Sequence, residues 1–116
     1  MGDNLYSIIA NLLIDCGAPK GVKGFGYIVE MVVDGVYNDR KIKSRCELCE
    51  NWGTVFGDTP TQIERSLYYV KAICFENKTE TFKKIFGGLG ELSVYGFLET
   101  LRVYVMENVE EELWKI

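Results

Sequence analysis

The sequence predicts an all-α protein, a compact bundle of about six helices. Three observations carry this. Apolar residues recur every three or four positions along most of the chain. The breaks between these stretches are short and carry Gly, Pro, Asn, Asp or Ser, the residues that stop and cap helices. The apolar–polar alternation of a half-buried strand is sustained nowhere. With 116 residues, 47% hydrophobic and 26% charged, the chain suits one domain, 1–116, with enough apolar side chain to bury a core.

Each element has a local cause. Asp3 or Asn4 caps a first helix running to about Cys16, with Leu5, Ile8, Ile9, Leu12 and Leu13 at helical spacing, and Gly17 stops it. The stretch APKGVKGFG reads as a loop, punctuated by Pro19, Gly21 and Gly24. A second helix covers about Tyr27 to Tyr37; its β-branched residues would suit a strand, but they do not alternate. Asn38 or Asp39 caps a third helix, in which Ile42, Cys46, Cys49, Trp52 and Phe56 recur by threes and fours, and Gly57 ends it. Asp58 or Thr59 caps the fourth, with Pro60 in the first turn, where its missing N–H costs nothing, and a stop at Asn77. A short fifth helix spans about Thr79 to Phe86. After GGLGEL, Ser93 starts a last helix with Val94, Phe97, Leu98, Leu101, Val105 and Met106 inward. The end, MENVEEELWKI, is acidic until Lys115.

Several function classes fall away. No run approaches the roughly 18 to 20 apolar residues of a membrane span. The N-terminus lacks a basic region and carries Asp3 and Asp15, against a signal peptide. After Met-Gly, Ser7 falls one residue late for myristoylation. Histidine is absent, the acids form no visible cleft pattern, and no nucleophile has an evident base, so the chain does not read as an enzyme. Cys46 and Cys49 form a single CxxC. Zinc would also need Cys16 and Cys74, far off and inside apolar helical patterns. No βαβ pattern supports a redox role. The cysteines therefore read as small core hydrophobes, with no metal or cofactor, and reduced thiols fit a cytoplasmic protein. GGLG lacks the ending of a phosphate loop and GVKGFG lacks a preceding strand; both read as turns.

The third and fourth helices are joined by about three residues, GDT. A helix-turn-helix over about 39–76 has that arrangement, as does any helical hairpin in a bundle. Unwrapped at about 100° per residue, the fourth helix gathers Ile63, Leu67, Val70 and Cys74 in one apolar arc. Thr61, Arg65, Tyr68, Tyr69 and Ala72 lie opposite, with Gln62 at the edge. A recognition helix offers its N-terminal half to base edges. Gln62 could pair with adenine and Arg65 with guanine, while Tyr68 and Tyr69 could reach phosphates or thymine methyls. Two exposed tyrosines would equally suit a protein interface. Arg40, Lys41, Lys43 and Arg45 form the densest basic cluster and sit near the predicted start of the third helix, which favours phosphate; a solvated face is the plain alternative. The net charge is −4, and neither half of the chain is basic, so nonspecific nucleic-acid binding is not expected to be strong.

LLIDCGAPKGVKGFGYIVEMV, followed by FGDTPTQIERSLYYVKAICF, resembles the C-terminal effector domain of the master sporulation response regulator, stage zero sporulation protein A. The matching residues are Gly17, Pro19, Lys23, Gly24, Phe25 and Tyr27, then Thr59, Pro60, Ile63, Glu64 and Arg65, with FKKIFGG resembling the segment after the recognition helix. The likeness covers about residues 5 to 106. It implies a six-helix unit whose third and fourth helices form a helix-turn-helix. It further implies sequence-specific binding to duplex DNA and transcriptional control, often by two domains in tandem on adjacent sites. A polymerase-contacting surface would lie at about Asn77 to Phe86, and Lys23 would join the phosphate contacts. Gln62, Tyr68 and Tyr69 stand where the family carries arginines and a histidine, so only Arg65 remains of the arginines. A good bidentate pairing with a base is worth roughly 1–3 kcal/mol, so these replacements should weaken binding. The family's N-terminal receiver domain is missing from this sequence, which corresponds to the effector domain as a fragment or a stand-alone relative. A helical protein-interaction module that kept the fold and lost DNA affinity is the second expectation.

Overall fold

The computed structural model describes residues 2–42 and 45–114, with backbone alone for 2–3 and 45–50. Six α-helices follow one another: α1 Gly2–Asp15, α2 Lys23–Tyr37, α3 Arg45–Phe56, α4 Pro60–Asn77, α5 Glu80–Phe86 and α6 Val94–Asn108. A single 3₁₀ turn, Glu111–Leu113, closes the described chain, which contains no strand. The all-helical class is therefore as predicted.

α2 is the central element and packs on α1, α4 and α6. Its inward residues include Ile28, Val29, Met31 and Val32, which join Leu5, Ile9 and Leu13 of α1, Ile63, Leu67 and Val70 of α4 and Phe97, Leu98 and Leu101 of α6 in one buried cluster. Cys16 and Cys74 are buried in it too. Burial, and for Cys16 also the neighbouring Cys74 and Asp15, pushes both thiols up to about 12. They stay protonated and behave as small hydrophobes, while the Cys46 and Cys49 side chains lie outside the described residues. Phe75, Phe82, Phe86 and Phe97 form an aromatic group that fixes α5 against α4 and α6.

Among the described residues, side chains cap three helices at their starts. Thr59 caps α4 and Asp58 does not: the Gln62 N–H donates to Thr59 Oγ1 at 3.2 Å, and the Thr59 N–H donates to Gln62 Oε1 at 3.1 Å. Two otherwise orphaned donors are thus satisfied reciprocally. Thr79 caps α5 and Ser93 caps α6. Gly57, at φ +72°, makes the turn between α3 and α4. Removing the α4 cap as Thr59→Ala is expected to cost about 1 kcal/mol in urea unfolding, with an unchanged slope.

Four local expectations are corrected. α2 begins at Lys23, four residues before the predicted Tyr27, because Gly24 serves a helix crossing and does not break the chain. α3 begins at Arg45, and neither Asn38 nor Asp39 caps it. Asn38 closes α2, donating its side-chain amide to Asp34 at 2.9 Å, and Asp39 turns the chain at φ +48°. α1 already includes Asp3 and Asn4 within its span. Met106 lies on the exposed side of α6, with its sulfur accepting from Arg102 Nη1. The acidic end also carries a buried anchor: Trp114 folds back beside Tyr37.

Candidate nucleic-acid interface

The candidate site is built on α4, which three features hold. Gly24 of α2 passes so close to the Ser66 carbonyl that no side chain fits between the helices. Tyr27 donates its hydroxyl to Asp58 in the turn before α4, and this contact, with some burial, pushes the Tyr27 hydroxyl up to about 12. Tyr27 also stacks on Phe56, which stacks on Trp52, so the end of α3 is pinned to α2. The turn between α3 and α4 is three residues, 57–59.

The apolar arc of Ile63, Leu67, Val70 and Cys74 is buried, as its spacing predicts. Thr61, Gln62 and Arg65 are exposed, and Tyr68 and Tyr69 are a little over half exposed. Thr61, Arg65 and Tyr68 come together along a groove of about 450 Å³, walled opposite by Ser93, Val94 and Tyr95 at the start of α6. Within it the Tyr95 hydroxyl donates to Glu64 at 2.5 Å, which ties α4 to α6 and adds a negative charge beside Arg65. Arg65 itself makes no ion pair among the described residues. Gln62 has its carbonyl oxygen engaged in the cap, so a bidentate pairing with adenine would have to break the capping box. Ala72, predicted on the same face, is half-buried and lines a separate concavity with Tyr68 and Lys71.

The predicted phosphate contacts are spread out. Lys23 lies 3.8 Å from Asp58, beside the start of α4, with its side chain largely in solvent. Arg40 pairs at 3.8 Å with Asp34, and the charge of Lys41 acts on Glu99; both residues precede α3. The helix from Lys23 to Asp34 spans about 16 Å, so Lys23 and the Arg40–Lys41 pair mark opposite ends of α2. Lys43 and the Arg45 side chain lie outside the described residues.

Two features escaped sequence reasoning. Asp58 and Glu64 place acids within the face, and Lys71 is buried on α4. A signal for Lys71 existed: at about 100° per residue it falls between Leu67 and Phe75, at the edge of the apolar arc. The groups that hold it come from residues 68, 75 and 92, and its single polar acceptor is 21 positions away.

Fold and site together define an all-helical protein with an exposed polar face on a firmly capped helix. Comparison of the chain with protein-family models, with curated proteins and with solved structures finds no match. No described helix is long and apolar enough to cross a membrane, and among the described residues no group of three or more Cys, Asp or Glu could hold a metal ion.

Proposed function

We propose that the protein is a helix-turn-helix DNA-binding regulator of transcription, with α3 and α4 as the motif and α4 as the helix that enters the major groove. The observation that carries this reading is Arg65. It is exposed in the N-terminal half of a capped helix, free of ion pairs among the described residues, with Thr61 one turn before it and Tyr68 one turn after. A recognition helix requires that placement. Lys23, beside the same helix start, supplies the nearest phosphate contact. The resemblance to the sporulation regulator's effector domain adds two expectations. Two copies act on adjacent sites, and RNA polymerase meets Asn77 to Phe86, where Lys78, Lys83 and Lys84 are exposed. On this reading the protein acts in the cytoplasm and is not an enzyme.

The second reading, a protein-interaction module, is favoured by the 54% and 53% exposure of Tyr68 and Tyr69. Selection of the purified protein on a random duplex library at about 50 and 150 mM salt separates the two, since phosphate-driven affinity falls steeply over that range. An enriched motif is expected, with Arg65→Ala weakening it by roughly 1–3 kcal/mol. No enrichment at either salt would overturn the DNA reading and direct attention to protein partners of the tyrosine face.

A further inference from the structure

Between α4, α5 and residues 87–91 lies a concavity of about 630 Å³. That volume falls in the usual range of small-molecule sites, roughly 300–1,000 Å³. Its lining includes Lys71, which is only 5% exposed. The Lys71 ammonium donates to the Leu92 carbonyl at 2.6 Å. It sits 4.9 Å from the ring centre of Tyr68 and 5.8 Å from that of Phe75. Among the described residues no carboxylate stands within ion-pairing distance of it. An ammonium has three donors, and one carbonyl takes one of them. Buried charges are normally paired, because desolvating a lone ion is costly. Ring faces offset part of that cost but supply no counter-ion.

We propose that this concavity is a binding site for a small amphipathic monocarboxylate, whose head group pairs with Lys71 and whose apolar body lies against Phe75 and Leu89. The chemistry narrows the ligand in two ways. One buried cation matches one negative charge, and Lys78 and Lys83 at the rim favour an anion approaching from solvent. Glu91 also lines the site and opposes a polyanion such as a nucleotide. The apolar part follows from the lining: Phe75 is half-buried against the core, and Leu89 is half exposed where it lines the concavity. This inference does not rest on the DNA reading, since it does not use Arg65, although Tyr68 lines both this concavity and the groove beside α6.

The test is a titration of the isotopically labelled full chain with octanoate, with 1-octanol and inorganic phosphate as comparisons, followed by amide resonances. Octanoate is expected to move the signals of Gly87 to Leu92 saturably, and to bind roughly tenfold or more tightly than octanol, the difference a charge-assisted contact makes. Phosphate alone should not compete. Lys71→Met should bring octanoate down to the level of octanol, and Lys71→Arg should restore the preference. Leu89→Glu puts a repelling charge at the exposed mouth and should weaken octanoate while leaving the rest of the spectrum in place. If Lys71→Met does not fold, the octanoate-to-octanol ratio and Leu89→Glu still decide. Absence of saturable shifts, equal binding of acid and alcohol, or indifference to both substitutions would overturn the proposal and leave Lys71 as a staple for the 87–92 segment.

Discussion

Replacing Glu99 with alanine is expected to destabilise the protein by about 3–5 kcal/mol, whereas replacing its partner as Arg102→Met should cost only about 1–2 kcal/mol. The asymmetry follows from burial. The Arg102 side chain is 5% exposed and the Glu99 side chain 26%. Arg102 donates from Nε and Nη2 to the two Glu99 oxygens at 2.8 and 2.7 Å, and Glu99 Oε1 also accepts the Ile42 N–H at 2.8 Å. Removing Glu99 strands a buried guanidinium. Its remaining carboxylate, Asp39 at 3.5 Å, is 80% exposed and too well solvated to compensate. It also orphans the Ile42 N–H, on a residue that is itself buried. Removing Arg102 leaves a carboxylate that water can reach and that keeps its backbone donor. Urea unfolding of the two variants checks the order of the effects; equal losses would mean that the pair behaves as if exposed.

The same pair sets an acid dependence. Burial alone would raise the Glu99 carboxyl, but the Arg102 fork, the Ile42 N–H and the charges of Arg102 and Lys41 outweigh it and hold the group below its ordinary value of 4.5. A carboxyl depressed in the folded state contributes stability that is present above the unfolded pKa and lost as pH falls through the folded one. Stability should therefore drop below about pH 5, and Glu99→Ala should flatten part of that drop in a series of urea midpoints.

A methyl group on Gly24 has the second large effect. Built at that position, it stands 2.8 Å from the Ser66 carbonyl carbon, closer still to the oxygen, and 2.9 Å from Val70 Cγ2. Backbone cannot swing away as a side-chain end can, so α2 and α4 would have to part. Helix propensity favours alanine over glycine by about 1 kcal/mol, against overpacking costs of typically 1–3 kcal/mol and sometimes more. Because the clash is with backbone, the second effect should win, with a net loss of about 2 kcal/mol. Gly26 is the internal control: it lies in the same helix with nothing within 4 Å of the added methyl, so Gly26→Ala should be neutral or stabilising by up to about 1 kcal/mol. Thermal unfolding of the two variants reads the contrast directly. Any shift of α4 would also move Arg65, so Gly24→Ala should weaken DNA selection if the nucleic-acid reading is right.

Much of the fold was legible because its causes are local. The apolar arc of α4, its start at Thr59–Pro60 and its end at Asn77 follow from caps and periodicity acting within a turn or two. The starts of α5 and α6 were legible for the same reason, Thr79 and Ser93 being residues whose side chains satisfy helix donors. The exposure of Thr61, Arg65, Tyr68 and Tyr69 followed from the opposite side of the same arc. The start of α2 was misplaced because glycine has two uses that look alike in sequence, a break in a loop and a gap where helices cross; only the position of Ser66 separates them. The cap of α3 was misplaced because Asn38 and Asp39 suit a helix start in general, while here the side chain of Asn38 turns back to Asp34.

The sequence by itself determined an all-helical chain, the order of its helices, the starts of α4, α5 and α6 and the exposed polar face of α4. Tertiary structure alone decided that Lys71 and Arg102 are buried and what they meet, the Leu92 carbonyl and the Glu99 fork, and it alone brought Asp58 to Tyr27, Glu64 to Tyr95 and Trp114 to Tyr37. The physical reason is range. Capping and periodicity are interactions of residues three or four apart, which sequence displays directly. The cost or gain of burying a charge depends on partners that only the packing of separate helices brings within hydrogen-bond distance.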